Sequence, residues 1–138
     1  IPGFTNLDGA TGDVIYPLSY TDLDAIRASH VLEHFGINES QLVIKDWVSC
    51  LKPGGTLAIA VPDFNKLLML MEANPDLPFE SIVMGGQQDE RDYHKSLWYE
   101  AKLRYIMMDA GLSQIERWES EIDDCASYPF STNLRGVK

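Results

Sequence analysis

Residues 51–61 read Leu-Lys-Pro-Gly-Gly-Thr-Leu-Ala-Ile-Ala-Val, and this stretch decides the fold. Pro53 and the two glycines behind it end any helix that precedes them. The six residues 56–61 are almost wholly apolar, which is typical of a strand that is buried on both faces. Such strands belong mainly to parallel sheets covered by helices, so the stretch favours an α/β fold.

Helical patterns lie on both sides of this strand. Residues 38–41 have the form of a capping box with Asn38 as the cap, and the helix that they open carries one apolar stripe. After the strand, Asp63 is predicted to cap a second, short helix. Residues 96–110 give the clearest helical pattern, and Gly111 stands where a left-handed residue ends a helix.

Short apolar runs predict the other strands, at residues 4–7, 14–16, 23–29, 115–118 and 132–137. The last two are predicted to form an antiparallel edge, and residues 74–95 an irregular excursion. The alternation of strands and helices predicts one α/β domain over residues 1–138, with a mostly parallel sheet and an antiparallel C-terminal edge.

Composition excludes several classes of function. The chain has 11 Lys and Arg residues and 21 Asp and Glu residues, which gives a formal net charge of −10. It has no basic stripe of the kind that nucleic-acid-binding proteins carry, so no nucleic-acid partner is predicted. The longest apolar run, residues 67–71, is too short to span a bilayer, so no membrane partner is predicted. The two cysteines cannot form a disulfide framework, which favours a reducing, cytoplasmic location.

The motif Leu-Lys-Pro-Gly-Gly at residues 51–55 resembles the turn before the fifth strand of class I S-adenosylmethionine-dependent methyltransferases. Residues 25–35, Ala-Ile-Arg-Ala-Ser-His-Val-Leu-Glu-His-Phe, look like the fourth strand and the following turn of the same family. Residues 61–64 and 133–138 are similar to a type 11-like subgroup associated with surface polysaccharide genes. The resemblance covers nearly the whole chain and implies a Rossmann-like sheet with S-adenosylmethionine as cofactor.

The family's first strand and glycine-rich loop have no counterpart here, so the resemblance implies a domain that is incomplete at its N-terminus. Residues 9–12, Gly-Ala-Thr-Gly, are predicted to be a turn and not a substitute loop. In the family's strand order, 3-2-1-4-5-7-6, the missing strand would lie between residues 4–7 and 25–29. We expect upstream residues, a closing of the sheet or a second chain in a homodimer to fill that slot, because an empty slot leaves backbone groups unpaired.

The resemblance also implies cofactor contacts. Asp8, at the acidic end of strand two, would accept the ribose hydroxyls, and Tyr16 and Leu18 would lie near adenine. Ser29 and His30 would line the methionine end of the cofactor. The alternatives are that Asp8 only forms a turn and that the Tyr16 segment is a simple strand exit.

Three residues have the spacing His-x-x-Glu-His and resemble the Glu-x-x-Glu-His metal motif of some O-methyltransferases: His30, Glu33 and His34. The preferred interpretation is that no metal binds and that Glu33 and His34 orient the turn after strand four. His34 and His94 are the candidate catalytic residues, since an imidazole can take the acceptor's proton near neutral pH. His94 could equally be a residue that merely precedes a helix.

The sequence therefore predicts a methyltransferase that acts on a small polar acceptor, with a sugar hydroxyl as the candidate from the subgroup. It leaves one alternative open: a non-catalytic remnant of the fold that serves as a binding or assembly module. The missing glycine-rich loop favours the remnant, whereas the retained motifs at residues 25–35 and 51–57 favour the enzyme.

Overall fold

The computed structural model describes residues 3–9 and 13–138. These residues form four strands, four α-helices and two short 3-10 helices. In chain order they are β1 (Leu23–Ser29), a 3-10 helix (Leu32–His34), α1 (Ile37–Cys50), β2 (Leu51–Pro62), α2 (Phe64–Ala73), α3 (Phe79–Met84), α4 (Glu100–Asp109), β3 (Ser113–Arg117), a second 3-10 helix (Cys125–Ser127) and β4 (Ser131–Val137). Within the described ranges, no helix combines the length and the apolar character that crossing a membrane would need.

The strands form one sheet in the order β1-β2-β4-β3. β1 runs parallel to β2, with Ser29 opposite Ala60 at the carboxyl end of both strands. β4 is antiparallel to both of its neighbours, β2 and β3. The predicted α/β class and the antiparallel C-terminal edge are therefore confirmed, and the parallel pairing that the structure describes is that of β1 with β2.

The core is one apolar cluster in which α1 and α4 pack against the sheet. The central strand β2 contributes alternate residues, because side chains two apart in a strand point to the same face. The fully buried members of this cluster include Leu57, Ile59 and Val61 of β2, Val43 and Ile44 of α1, Leu103 and Met107 of α4, and Leu134 of β4.

The predicted break at residues 51–55 is the first part of β2, and within it residues 52–55 loop out of the pairing with β1. Gly54 has a left-handed φ of +79°, and its N–H donates to the carbonyl of Lys138 over 2.9 Å. A Cβ on Gly55 would lie 2.9 Å from the carbonyl oxygen of Lys52. Backbone cannot yield cheaply at that distance, so the loop needs glycine at position 55.

The predicted strands at residues 4–7 and 14–16 are wrong, because both segments lack regular structure. A strand needs a ladder of hydrogen bonds to a neighbouring strand, and no described strand pairs with residues 4–7. The carbonyl of Ile15 instead accepts a hydrogen bond from the indole of Trp47 over 2.9 Å. The predicted turn at residues 9–12 falls largely on residues 10–12, which lie outside the described part of the chain.

Helix α1 begins one residue before the predicted cap. Gly36 is the cap, not Asn38, and its carbonyl accepts the first helical bond from the N–H of Ser40 over 2.9 Å. The Gly36 N–H in turn donates to the carboxylate of Glu39 over 3.4 Å. The acidic residue therefore sits three positions after the cap, as in a capping box, but in a register shifted from the prediction.

Asp63 caps two helices at once, which explains why α4 starts later than predicted. One carboxylate oxygen accepts from the N–H of Asn65 over 2.9 Å, so the predicted cap of α2 is confirmed. The other oxygen accepts from the N–H of Glu100 over 3.2 Å, at the start of α4. The predicted start at Ser96 is wrong, because Trp98 forms an isolated strand-like bridge with Asp63 before the helix begins.

The C-terminal end of α4 follows the prediction. Gly111 has a left-handed φ of +96°, a conformation that glycine adopts at little cost. The N–H of Leu112 closes back on the carbonyl of Met107 over 3.1 Å. The helix therefore ends in a left-handed closing turn that directs the chain into β3.

Candidate functional site

A groove of about 760 Å³ runs along the free edge of β1. All of β1 lines it, and residues 3–7, Leu18 and Val31 are among the other lining residues. On its other edge β1 pairs with β2, and no described strand pairs with the edge that faces the groove. The volume lies within the range of roughly 300–1,000 Å³ that small-molecule sites occupy. In open α/β sheets ligands bind outside the carboxyl ends of the strands, and β1 ends at this groove.

The groove collects two of the five residues proposed for cofactor binding. Leu18 and Ser29 line it, and Ser29 is the last residue of β1. Asp8, Tyr16 and His30 are not among the described residues that line it. The structure therefore brings the adenine-side and methionine-side candidates together only through Leu18 and Ser29.

Asp8 and Tyr16 lie close to the groove in sequence but are engaged elsewhere. The Asp8 N–H donates to the carboxylate of Asp13 over 2.8 Å, and the Asp13 N–H donates back to the Asp8 carbonyl over 3.2 Å. The Asp8 residue itself is exposed. The Tyr16 ring packs edge-on against Phe35, with 6.1 Å between the ring centroids.

His30 follows β1 directly, in a left-handed conformation with φ +53°. Its Nε2 atom lies 3.1 Å from the hydroxyl of Ser131, and its ring packs edge-on against Tyr128 and Phe130. Burial lowers the pKa of His30 to about 4, so the ring is neutral at neutral pH. These contacts direct the His30 side chain toward the residues around the start of β4.

A second polar region lies just beyond β1 and consists of Glu33, His34 and His94. The rings of His34 and His94 are nearly perpendicular, at 83°, with centroids 4.9 Å apart. One carboxylate oxygen of Glu33 and one nitrogen of each histidine lie within 4.8 Å of one another. We refer to these three residues as the Glu-His-His cluster.

Backbone hydrogen bonds bring the distant His94 to this place. The carbonyl of Glu33 accepts from the N–H of Lys95 over 2.6 Å and from the N–H of Ser96 over 3.2 Å. The N–H of His94 donates to the carbonyl of Met84 over 3.0 Å. The 3-10 helix Leu32–His34 and the end of α3 thus fix the segment that carries His94.

The Glu33 side chain is the unusual member of the cluster. It is 1% exposed, and neither carboxylate oxygen has a hydrogen-bond partner within the described part of the chain. The His30 Nδ1 atom lies 3.4 Å from one of these oxygens, in a contact that lacks hydrogen-bond geometry. Burial raises the pKa of Glu33 to about 8 and, together with the neighbouring His34, lowers the pKa of His94.

The predicted metal set and the observed cluster differ in one residue. The sequence spacing groups His30 with Glu33 and His34, whereas the structure groups Glu33 and His34 with His94. The sequence makes His94 a candidate catalytic residue but carries no signal for its position beside Glu33. That position depends on backbone hydrogen bonds between distant segments, which local spacing does not encode.

An ion pair at the groove was missed from the sequence. The Arg27 guanidinium on β1 lies 2.6 Å from the carboxylate of Asp124, which lines the groove. The guanidinium also lies over the Trp118 ring, 5.0 Å from its centroid. Burial acts to raise the pKa of Asp124, but hydrogen bonds from Arg27 and Ser120 outweigh it and lower that pKa. The pair therefore ties the loop before β4 to the central part of β1.

Comparison with solved structures places the fold among S-adenosylmethionine-dependent methyltransferases. An O-methyltransferase family protein from Burkholderia thailandensis superposes with a TM-score of 0.58 at 20% identity, over 87% of this chain and 31% of that one. A SAM-dependent methyltransferase from Archaeoglobus fulgidus gives 0.58 at 16% identity, over 90% and 63%. The apo form of the S-adenosylmethionine-dependent methyltransferase SibL gives 0.63 at 14% identity, over 91% and 34%.

These likenesses show the Rossmann-like methyltransferase fold and no more, because every identity is low. The chain spans between 31% and 63% of the length of these three neighbours. No protein-family model matches the sequence, and no curated protein matches it either.

Proposed function

We propose that this chain belongs to an S-adenosylmethionine-dependent methyltransferase that acts on a small polar acceptor. The observation that carries the proposal is the junction at the carboxyl end of β1. There a groove of small-molecule size is lined by Ser29 and Val31, and the next residues of the chain include Glu33 and His34 of the Glu-His-His cluster. A cofactor site beside a polar acceptor site is the arrangement that methyl transfer requires.

The carboxyl end of the groove, at Ser29 and Val31, is the proposed cofactor site, because the resemblance assigns the slot along the rest of β1 to the missing strand. Leu18 would contact the adenine and Ser29 the methionine end, since both line the groove. Asp8 would accept the ribose hydroxyls, which requires its exposed carboxylate to turn toward the groove. Tyr16 and His30 would support the cofactor site without contacting the cofactor directly, because their rings are packed against other aromatic residues.

The Glu-His-His cluster is the proposed acceptor side. A bond forms between the acceptor oxygen and the methyl carbon as the carbon–sulfur bond breaks, and the sulfonium becomes a neutral thioether. The acceptor's proton must leave, and His34 and His94 are the groups proposed to promote its departure. A sugar hydroxyl is the proposed acceptor, on the strength of the sequence resemblance alone.

The test is a transfer assay with S-adenosylmethionine labelled in its methyl group and a panel of monosaccharides and other small polyols. We expect label in the acceptor with the wild-type chain. Ser29→Leu, which fills the end of the groove, should abolish transfer. Ser113→Leu, at an exposed position on the far edge of the sheet, should not. Equal transfer by both variants would reject the groove as the cofactor site.

A second candidate function is a binding or assembly module without catalysis. The free edge of β1 favours it, because an unpaired strand edge can accept a strand from a partner. Binding of S-adenosylhomocysteine in the groove would favour the methyltransferase. Formation of a homodimer through β1, without binding of S-adenosylhomocysteine, would favour the non-catalytic module. Analytical ultracentrifugation with and without S-adenosylhomocysteine separates the two.

A further inference from the structure

The Glu33 side chain lacks the partners that a buried carboxyl group requires. Both of its oxygens are without a hydrogen bond within the described residues, and so is the Nδ1 atom of the neighbouring His34. Leaving buried polar atoms unpaired is costly, and an ionised carboxylate in such a place needs a cation or several donors. The fold therefore holds acceptor atoms at this point that only a bound species would satisfy.

One oxygen of Glu33 and one ring nitrogen each of His34 and His94 form a compact group of candidate ligand atoms. Because the ligand atoms of Glu33, His34 and His94 already lie within 4.8 Å of one another, small side-chain rotations would bring all three onto one ion. Metal–ligand distances of about 2.0–2.2 Å allow two ligand atoms on one ion to lie at most about 4.4 Å apart. The two imidazoles are only partly buried, so they have room for that adjustment.

A small cavity of about 10 Å³ adjoins the cluster and is lined by Glu33 and His94. That is close to the smallest volume that holds one water molecule. The cavity offers space for a single small species, so an acceptor would reach that species from the partly exposed side of the two imidazoles. A bound water is the competing occupant, and the experiment below separates it from an ion.

We propose that Glu33, His34 and His94 bind one divalent transition-metal ion, Zn²⁺ being the probe of choice. Two imidazole nitrogens and one carboxylate oxygen form a set that suits Zn²⁺, whereas Mg²⁺ and Ca²⁺ favour all-oxygen sites. Three protein ligands leave one tetrahedral position open, as in metal sites that bind a substrate. An ion there would convert the unpaired carboxylate into a ligand.

The spacing His-x-x-Glu-His suggests that His30 is a metal ligand, but we assign it the role of positioning Glu33. Its Nε2 atom is engaged with the Ser131 hydroxyl, and its Nδ1 atom lies 3.4 Å from a Glu33 oxygen. It would therefore position the carboxylate from outside, as groups around a metal site commonly do. This role distinguishes the observed cluster from the His30, Glu33 and His34 set.

A bound ion would also help the proposed methyl transfer. This one consequence rests on the proposed function. An acceptor hydroxyl at the open position would lose its proton more readily, because a divalent cation stabilises the oxyanion. The two histidines would then be metal ligands, and the acceptor's proton would pass to solvent water. Binding of the ion itself is independent of methyl transfer and can be measured without any cofactor.

The experiment is isothermal titration calorimetry of the metal-stripped, 138-residue chain with Zn²⁺, carried out on a Cys50→Ser, Cys125→Ser background so that thiols do not bind the ion. We expect one Zn²⁺ per chain. Glu33→Gln and His94→Asn should each weaken binding by more than about a hundredfold, whereas His30→Asn should weaken it by about tenfold. Glu72→Gln, at an exposed position, is the matched control and should leave the affinity unchanged.

Two further measurements keep the proposal falsifiable if a histidine variant unfolds. Glu33→Gln keeps the shape of the side chain, and circular dichroism verifies its fold. Co²⁺ should give visible absorption bands with the wild-type chain that Glu33→Gln lacks. Failure of Zn²⁺ to bind the wild-type chain would overturn the proposal, as would a greater loss in His30→Asn than in His94→Asn. Binding of S-adenosylhomocysteine is measured separately. It tests the proposed function independently of whether Zn²⁺ binds.

Discussion

His34 and His94 lie far apart in the sequence, yet their rings meet at a centroid distance of 4.9 Å and an angle of 83°. The contact joins the turn that follows β1 to the segment that precedes α4. It is made possible by the Glu33 carbonyl, which accepts two backbone hydrogen bonds from residues 95 and 96. The pair therefore brings two titratable side chains from distant segments together just beyond the carboxyl end of β1.

Replacing either histidine should impair turnover more than cofactor affinity. We expect His34→Ala and His94→Ala to lower kcat by about 10²–10⁴-fold. Each histidine would either take the acceptor's proton or hold the metal ion that makes the acceptor more acidic. The Kd of S-adenosylmethionine should change by less than about threefold. Ser81→Ala, an exposed position on α3, is the control. A variant that loses cofactor affinity but turns over normally when saturated would show that the histidines are structural.

Removing the Asp8 carboxylate should weaken cofactor binding. Loss of a charge-assisted hydrogen bond to ribose costs about 1.5–3 kcal/mol, which is roughly a tenfold to hundredfold rise in Kd. Calorimetry on Asp8→Ala, with the exposed Asp76→Ala as its control, measures this difference. Because the structure has Asp8 outside the residues that line the groove, an unchanged Kd would remove it from the cofactor site.

Asp63 should be more important for stability than an ordinary cap, since its two oxygens serve the first turns of both α2 and α4. We expect Asp63→Ala to lower the free energy of unfolding by about 1–4 kcal/mol, twice the usual cost of losing one cap. Asp63→Asn retains one acceptor oxygen and should lose about half as much. Urea denaturation measures both, with Asp76→Asn as the exposed control. Equal losses in the Ala and Asn variants would contradict the double cap.

The ion pairs of Glu100 should make stability fall at acidic pH. The hydrogen bond from Arg117, and then that from Arg104, lowers the pKa of Glu100 below its ordinary value. The stabilisation is therefore present above the unfolded pKa of about 4.3 and is lost as the pH falls through the lower, folded pKa. Because the pair with Arg117 is largely exposed, solvent screens it and its contribution to stability is small.

Denaturation of Glu100→Gln checks this pH dependence. Near pH 7 the variant should be slightly less stable than the wild-type chain, and the difference should shrink toward zero as the pH approaches 2. A difference that stays constant over this range would mean that the charge of Glu100 contributes nothing.

The sequence predicted those parts of the fold that local patterns encode. The buried strand β2, the cap at Asp63 and the closing turn at Gly111 each depend on residues close together in the chain, and each is confirmed. The strand predicted at residues 4–7 is wrong because a short apolar run forms a strand only where a neighbour supplies the ladder. No described strand pairs with residues 4–7.

The candidate site divides in the same way. Ser29 could be predicted at the groove, because its position at the end of an apolar strand is a local property. The partnership of Glu33 with His94 could not, since it arises from long-range backbone bonds at Lys95 and Ser96. The predicted cytoplasmic location and the predicted homodimer remain predictions.

The most direct test of the central claim is chemical-shift mapping of the isotope-labelled chain during titration with S-adenosylhomocysteine. If the groove beside β1 is the cofactor site, saturable shift changes will concentrate on Leu18, on residues 26–29 and on Val31. Residues of β3, on the opposite edge of the sheet, will stay unchanged. An absence of saturable changes, or changes centred away from β1, would contradict the account.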